Sequence, residues 1–145
     1  MRFTMVRAVC PLVGCLVGCS DSSTNPNTED FGGAWHYVEV LSDVPNGVSC
    51  ADTGVYRLTQ AGTMFDGDYV QSGVCSTPSG LQDNTDSGGV TGGQVIGRTL
   101  RFTAALVCAY DGRLDPMVAR ISGRVVCILP GMDTLTLAGA WSATR

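Results

Sequence analysis

"CADTGVYRLTQAGTMFDGDYVQSGVC", Cys50 to Cys75, is two runs of alternating apolar and polar residues joined by Gln60-Ala61-Gly62-Thr63-Met64. Period-two alternation marks strands with one buried face. Gly62-Thr63 fits a two-residue II′ turn, which takes glycine at its first central position. That turn sets the register: Gln60 faces Phe65, Leu58 faces Gly67 and Tyr56 faces Tyr69, which makes one face of the hairpin apolar. The other face sets Arg57 against Asp68, an attractive cross-strand pair. Carried outward, the ladder brings Cys50 opposite Cys75 on the apolar face. There, at a non-hydrogen-bonded position, Cα atoms approach to about 4.5 Å and a disulfide can close.

Cys108 and Cys127 permit the same construction around a loop at Pro116 to Val118. Leu114 then faces Ile121, Tyr110 faces Val125 and Cys108 faces Cys127, while Asp115 meets Arg120 and Asp111 meets Arg124 on the opposite face. A rival register turns at Asp111-Gly112, a strong I′ signal, but leaves these cysteines far apart. The four cysteines allow three connectivities. Register and face select Cys50 with Cys75 and Cys108 with Cys127. Zinc is the other use of four cysteines, and their wide spacing with no C-x-x-C pair speaks against it, so no metal is expected.

Around these hairpins the alternation continues, punctuated by Gly, Asp and Pro, and no window shows helical spacing after the N-terminal segment. The expected strands are Ala34 to Leu41, Gly54 to Gln60, Met64 to Gln71, Val90 to Ile96, Thr99 to Leu114 (bent or split), Ala119 to Ile128 and Thr134 to Thr144. The fold class is therefore all-β, an antiparallel up-and-down meander of seven or eight strands with two disulfides. Abundant glycine suits its tight turns.

Upstream, Arg2 and Arg7 precede an uncharged apolar stretch from Ala8 to Gly18, a positive n-region followed by a signal-peptide h-region. A spanning helix needs about 20 apolar residues, and polar sequence begins at Ser20. "CPLVGCLVGCSDSS" contains Leu-Val-Gly-Cys twice, ending at Cys15 and at Cys19. Leu16-Val17-Gly18-Cys19 resembles the lipobox of bacterial lipoproteins, in which the cysteine is diacylated and becomes the mature N-terminus. Cys15 is the alternative, but it leaves a shorter h-region and puts apolar Leu16 and Val17 after the cut. The resemblance implies three parts: residues 1–18 as lipoprotein signal peptide, 19–30 as lipidated cysteine and polar tether, and 31–145 as the folded domain. Two or three acyl chains hold a protein stably at a membrane where one does not. Ser20 resembles outer-membrane sorting rather than inner-membrane retention, so the expected location is the bacterial cell envelope. Disulfides persist in such oxidising compartments.

"FGGAWHY" (Phe31 to Tyr37) and "LAGAWSATR" (Leu137 to Arg145) put both tryptophans in Gly-Ala-Trp near opposite ends of the domain. First and last strands are neighbours in a closed up-and-down barrel, where closure removes exposed edges. The first copy resembles the Gly-x-Trp signature of lipocalins and related calycin barrels. That resemblance implies a calycin-like closed or nearly closed barrel. It also makes Arg145 the basic residue placed over the tryptophan from the last strand, a favourable cation over an indole. Trp35, Trp141 and Arg145 are thus candidates for binding a ligand or closing the barrel.

All nine basic residues are arginines. A chain starting at Cys19 keeps seven of them against thirteen acids, a formal charge of about −6. Without lysine there is no Schiff-base chemistry on a lysine, and without a basic cluster nucleic acid is not an expected partner. His36 is the sole histidine, and no Gly-x-Ser-x-Gly elbow occurs. Asp66 and Asp68 could pose as a carboxylate pair, but Asp68 has a structural partner in Arg57. Asp83, Thr85 and Ser87 before Gly88 partly echo a calcium loop. Position twelve of that loop is Gln94 rather than Glu, and a flexible hydrophilic loop is the plainer reading. No cofactor motif is present, and no enzyme is expected.

The leading expectation is a monomeric, membrane-anchored envelope lipoprotein whose barrel binds a small apolar ligand. The alternative is a protein-interaction or enzyme-inhibitor module with a filled barrel and an envelope protein as partner; a hydrolytic enzyme ranks third. Radiolabelled palmitate should enter the wild-type chain and Cys15→Ala but not Cys19→Ala; incorporation that survives Cys19→Ala and is lost in Cys15→Ala would reverse the assignment.

Overall fold

The computed structural model describes residues 29–105, 107–129 and 135–145. The expected signal peptide, Cys19 and the expected tether up to residue 28 lie outside the described residues. The elements are β1 (Gly33–Asp43), β2 (Val48–Ala61), β3 (Met64–Thr77), β4 (Gly80–Asp83), β5 (Asp86–Ile96), β6 (Thr99–Ala104), β7 (Cys108–Asp115), β8 (Arg120–Leu129) and β9 (Leu135–Thr144). Every neighbouring pair is antiparallel. The ladder runs β2-β1-β9-β8-β7-β6-β5-β3 and closes through β2 with β3, giving an eight-stranded up-and-down barrel to which β4 adds one short strand beside β3.

Both hairpin registers read from the cysteines are present. Cys50 pairs with Cys75, Tyr56 with Tyr69 and Leu58 with Gly67; Cys108 pairs with Cys127, Tyr110 with Val125 and Leu114 with Ile121. The bridged Cα atoms are 4.0 Å and 3.9 Å apart, the close spacing of non-hydrogen-bonded pairs. Gly62 has φ +62° while Thr63 does not take a positive φ, the II′ pattern. Arg57 Nη1 lies 3.2 Å from Asp68 Oδ1. On the second hairpin Arg120 stands opposite Asp115 in the ladder but donates to Ser142 Oγ at 3.1 Å. Gly112, the pivot of the rival turn, sits mid-strand opposite Gly123.

The run Thr99 to Leu114, expected to be bent or split, is split into two strands, β6 and β7. They reverse through Ala105 at φ +54°, a conformation that costs a non-glycine residue about 1–2 kcal/mol and leaves no glycine or proline in the sequence to announce it. The hydrophilic stretch Leu81 to Gly89, read as a loop, is β4 and the start of β5. Every residue of β4 is exposed, so no alternation marks it. Ala119, expected to open a strand, instead ends the β7–β8 turn at φ +46°.

The glycines also do more than turn. Across the waist of the barrel lies an aromatic layer: Tyr37 stacks on Tyr56 at 4.2 Å, Phe102 stacks on Tyr110 at 4.6 Å, and Trp141 presents an edge-to-face contact to Tyr56, Phe102 and Tyr110. Offset stacks and edge contacts are the arrangements that ring quadrupoles favour. Strand glycines make room for it. A Cβ on Gly112 would stand 2.7 Å from Trp141 Cζ2 and 3.0 Å from Ile121 Cγ2, both held in the core. Gly112→Ala should therefore lower unfolding free energy by about 1–3 kcal/mol in chemical denaturation; an unchanged midpoint would contradict the tight packing of this layer.

Candidate functional site

The two ends of the barrel differ. At the end holding the β2–β3, β5–β6 and β7–β8 turns, the chain entering β1 closes the interior. Phe31 is fully buried, its N–H donates to Gln60 Oε1 at 2.6 Å, and its carbonyl accepts from Trp35 Nε1 at 2.9 Å. The Arg145 guanidinium lies 4.5 Å over the Trp35 ring and donates to the carbonyls of Asp30 and Gly32. Trp35 and Arg145 thus meet, and they clasp the last strand to the segment before the first. Trp141 belongs to the waist layer instead, with its Nε1 donating to the Asp111 carbonyl at 2.8 Å. None of these three residues borders the cavity at the other end.

Above the waist the barrel is open. A cavity of about 840 Å³ reaches from the mouth to Tyr69, Tyr110 and Glu39. Its apolar wall includes Leu41, Ala104, Leu129 and Leu137, together with both disulfides, which face inward. Its polar wall comes from the β3, β4 and β5 side: Gln71, Gln82, Asn84 and Asp86. β4 builds this wall, which explains its place in the fold. Asn84 follows it and donates from Nδ2 to Asp52 Oδ1 at 2.9 Å, while Gln71 accepts from the Tyr37 hydroxyl at 3.1 Å.

Glu39 is the unusual group. It follows Trp35 and Tyr37 on the inward face of β1, is 3 % exposed, and receives a hydrogen bond from the Tyr110 hydroxyl at 2.9 Å. Asp52, 2 % exposed, is its cross-strand partner in the β1–β2 ladder and also lies on the inward face. Burial raises the Glu39 pKa to about 7; the Tyr110 hydrogen bond works against this and the charge of Asp52 adds to it. Burial raises Asp52 as well, opposed by Asn84. Asp52 Oδ2 and the Tyr56 hydroxyl have no hydrogen-bond partner among the described residues. No cation compensates this pair: His36 and all seven described arginines are exposed. A buried charge without a partner is a stability liability, so such groups are candidates for function.

The residues considered earlier for chemistry lie elsewhere. His36, Asp66 and Asp68 are exposed on outward positions of β1 and β3. Thr85 Oγ1 donates to Asp83 Oδ1 at 2.8 Å, and no group of three or more metal-ligating side chains occurs among the described residues. Glu39 and Asp52 were missed, yet the signal existed. Glu39 shares parity with Trp35, Tyr37 and Leu41, and Asp52 shares it with Cys50 and Tyr56, so each interrupts an apolar face. No protein-family model, curated protein or solved structure matches the chain.

Because the folded-state pKa of Glu39 lies above the ordinary value of 4.5, the folded protein holds a proton that the unfolded chain releases. Stability should fall as pH rises from about 4.5 to about 7, by a total of about 3 kcal/mol. Asp52 acts with the same sign. Asp43, held low by Asn46 and Thr136, acts with the opposite sign and below this window. Denaturation curves between pH 4 and 8 should show the slope in wild type and a flatter profile in Glu39→Gln; parallel profiles would contradict the assignment.

Proposed function

We propose that this chain is a lipid-anchored protein of a bacterial cell envelope whose barrel holds a small, largely apolar molecule in its open-ended cavity. The cavity above the aromatic floor carries this reading. Its volume falls within the range of about 300–1,000 Å³ common to small-molecule sites, and an apolar wall with a few converging polar groups is their usual composition. Two inward disulfides tie together neighbouring strands around the mouth and form part of the cavity wall. The anchor comes from the Leu16 to Cys19 motif and the polar tether after it, and the disulfides suit an oxidising compartment. In this arrangement the site is a binding module, and Glu39 with Tyr110 orients the bound molecule.

A protein partner is the second reading. Val38 and Val40 on β1 and Ile128 on β8 are more than half exposed, and apolar side chains on an outer sheet face can form a contact surface.

Native mass spectrometry after gentle extraction should find a co-purifying small molecule on the wild-type protein. Ala104→Phe, which puts a ring into the cavity, should abolish that adduct and the binding of the neutral apolar dye phenylnaphthylamine while leaving the thermal midpoint within a few degrees. Wild-type protein that carries nothing and binds no apolar probe would contradict the reading, and capture of an envelope protein equally by both forms would favour the second.

A further inference from the structure

The charges that border the cavity are all of one sign. Glu39 stands on the floor; Asp83 and Asp86 stand at the mouth, where the Tyr69 hydroxyl donates to Asp86 Oδ2 at 2.5 Å. No arginine or histidine borders the space, and the chain contains no lysine. A carboxylate or phosphate ligand entering here would shed its water and meet negative charges with no positive one to pair with, which costs several kcal/mol for an unpaired buried ion. A cation would meet the reverse. Acids at the rim attract it, and a low-dielectric wall focuses that field towards the floor.

The floor itself is incomplete. Tyr110 satisfies Oε2 of Glu39, and among the described residues no other donor reaches that carboxylate. The groups that face it from surrounding strands are Asp52 and Tyr56 on β2, Tyr69 on β3, Tyr110 on β7 and Tyr37 on its own strand. Its β9 neighbour in the ladder is Trp141, which does not titrate. Every titratable group in this shell is acidic or phenolic. The site therefore holds a nearly buried carboxyl at the border of the cavity and lacks the positive charge that would balance it.

We propose that the occupant is a cationic amphiphile, a molecule with a protonated amine and an apolar body, whose ammonium group lies against Glu39 while the body lines Leu41, Leu137 and the disulfides. This rests on the reading of the cavity as a small-molecule site and names the class of molecule. An ammonium at the floor donates to the open Glu39 oxygen and stabilises the ionised carboxylate. Binding therefore favours loss of the proton that Glu39 holds in the empty protein, and affinity for the amine rises with pH up to about 7.

A matched series tests this: decylamine, decanol and decanoate, titrated calorimetrically into the full chain below their micelle concentrations. The amine should bind at least about tenfold more tightly than the alcohol, with decanoate the weakest. Glu39→Gln should bring amine and alcohol within about threefold of one another, chiefly by weakening the amine. Should that variant fail to fold, the wild-type pH profile serves: amine affinity rises between pH 5 and 7 while alcohol affinity stays flat. Alcohol or decanoate binding as tightly as the amine, a preference for amine that survives Glu39→Gln, or a flat amine profile would overturn the cation assignment and leave the apolar-site reading standing. No binding by any of the three would overturn both.

Discussion

Across the waist of the barrel, Trp141 meets the faces and edges of Tyr56, Phe102 and Tyr110, and the stacked pairs on either side complete a layer one ring thick. Eight strands enclose little more than the width of side chains, so rings that meet across the lumen need room from the strands around them. Gly112 supplies that room under Trp141. Once the layer is in place the interior is divided. Below it Phe31 and Trp35 fill the barrel and Arg145 clasps the last strand to the segment before the first; above it the paired strands enclose the cavity bordered by the disulfides.

The division explains how Glu39 can be both buried and reachable. It stands on the upper side of the layer, next to Tyr110, whose ring belongs to the layer and whose hydroxyl points out of it. Burial among the rings removes water from the carboxyl, which raises its pKa, while the residue still borders the cavity. Asp52 beside it makes the charged form costlier still. With every described arginine on the outer surface, the fold contains no group that would settle this pair by itself. An apolar residue at position 39 would fit the alternating face of β1 better. The protein thus carries a stability cost at one place, and that place is the floor of the open-ended cavity.

Much of this architecture was legible in the chain because independent constraints agreed. The Gly62-Thr63 turn, the alternation on both sides of it and the spacing of Cys50 and Cys75 each give the same register, and a slip of one residue would turn every side chain to the wrong face. Elsewhere such agreement was missing. The β6–β7 turn has alanine where glycine is usual, so the sequence suggests a bend or split between Thr99 and Leu114 without placing it. β4 is exposed on both faces and has no pattern to detect. The site was hidden for a different reason. A search for chemistry by motif looks for neighbours in sequence, whereas Glu39 and Asp52 come together only through the β1–β2 ladder, and Tyr110 reaches Glu39 from the far wall, 71 residues away. Parity along each strand did place both acids inside.

An aromatic floor and an open cavity hold the Glu39 carboxyl in a water-poor, cation-free place. The most direct test is a carbon-detected NMR titration of the side-chain carboxyl of Glu39 in the folded protein. The expected midpoint is near pH 7. A midpoint at the ordinary value near 4.5 would mean that water reaches the group from both sides, and the floor, the cavity and the site built on them would fall together.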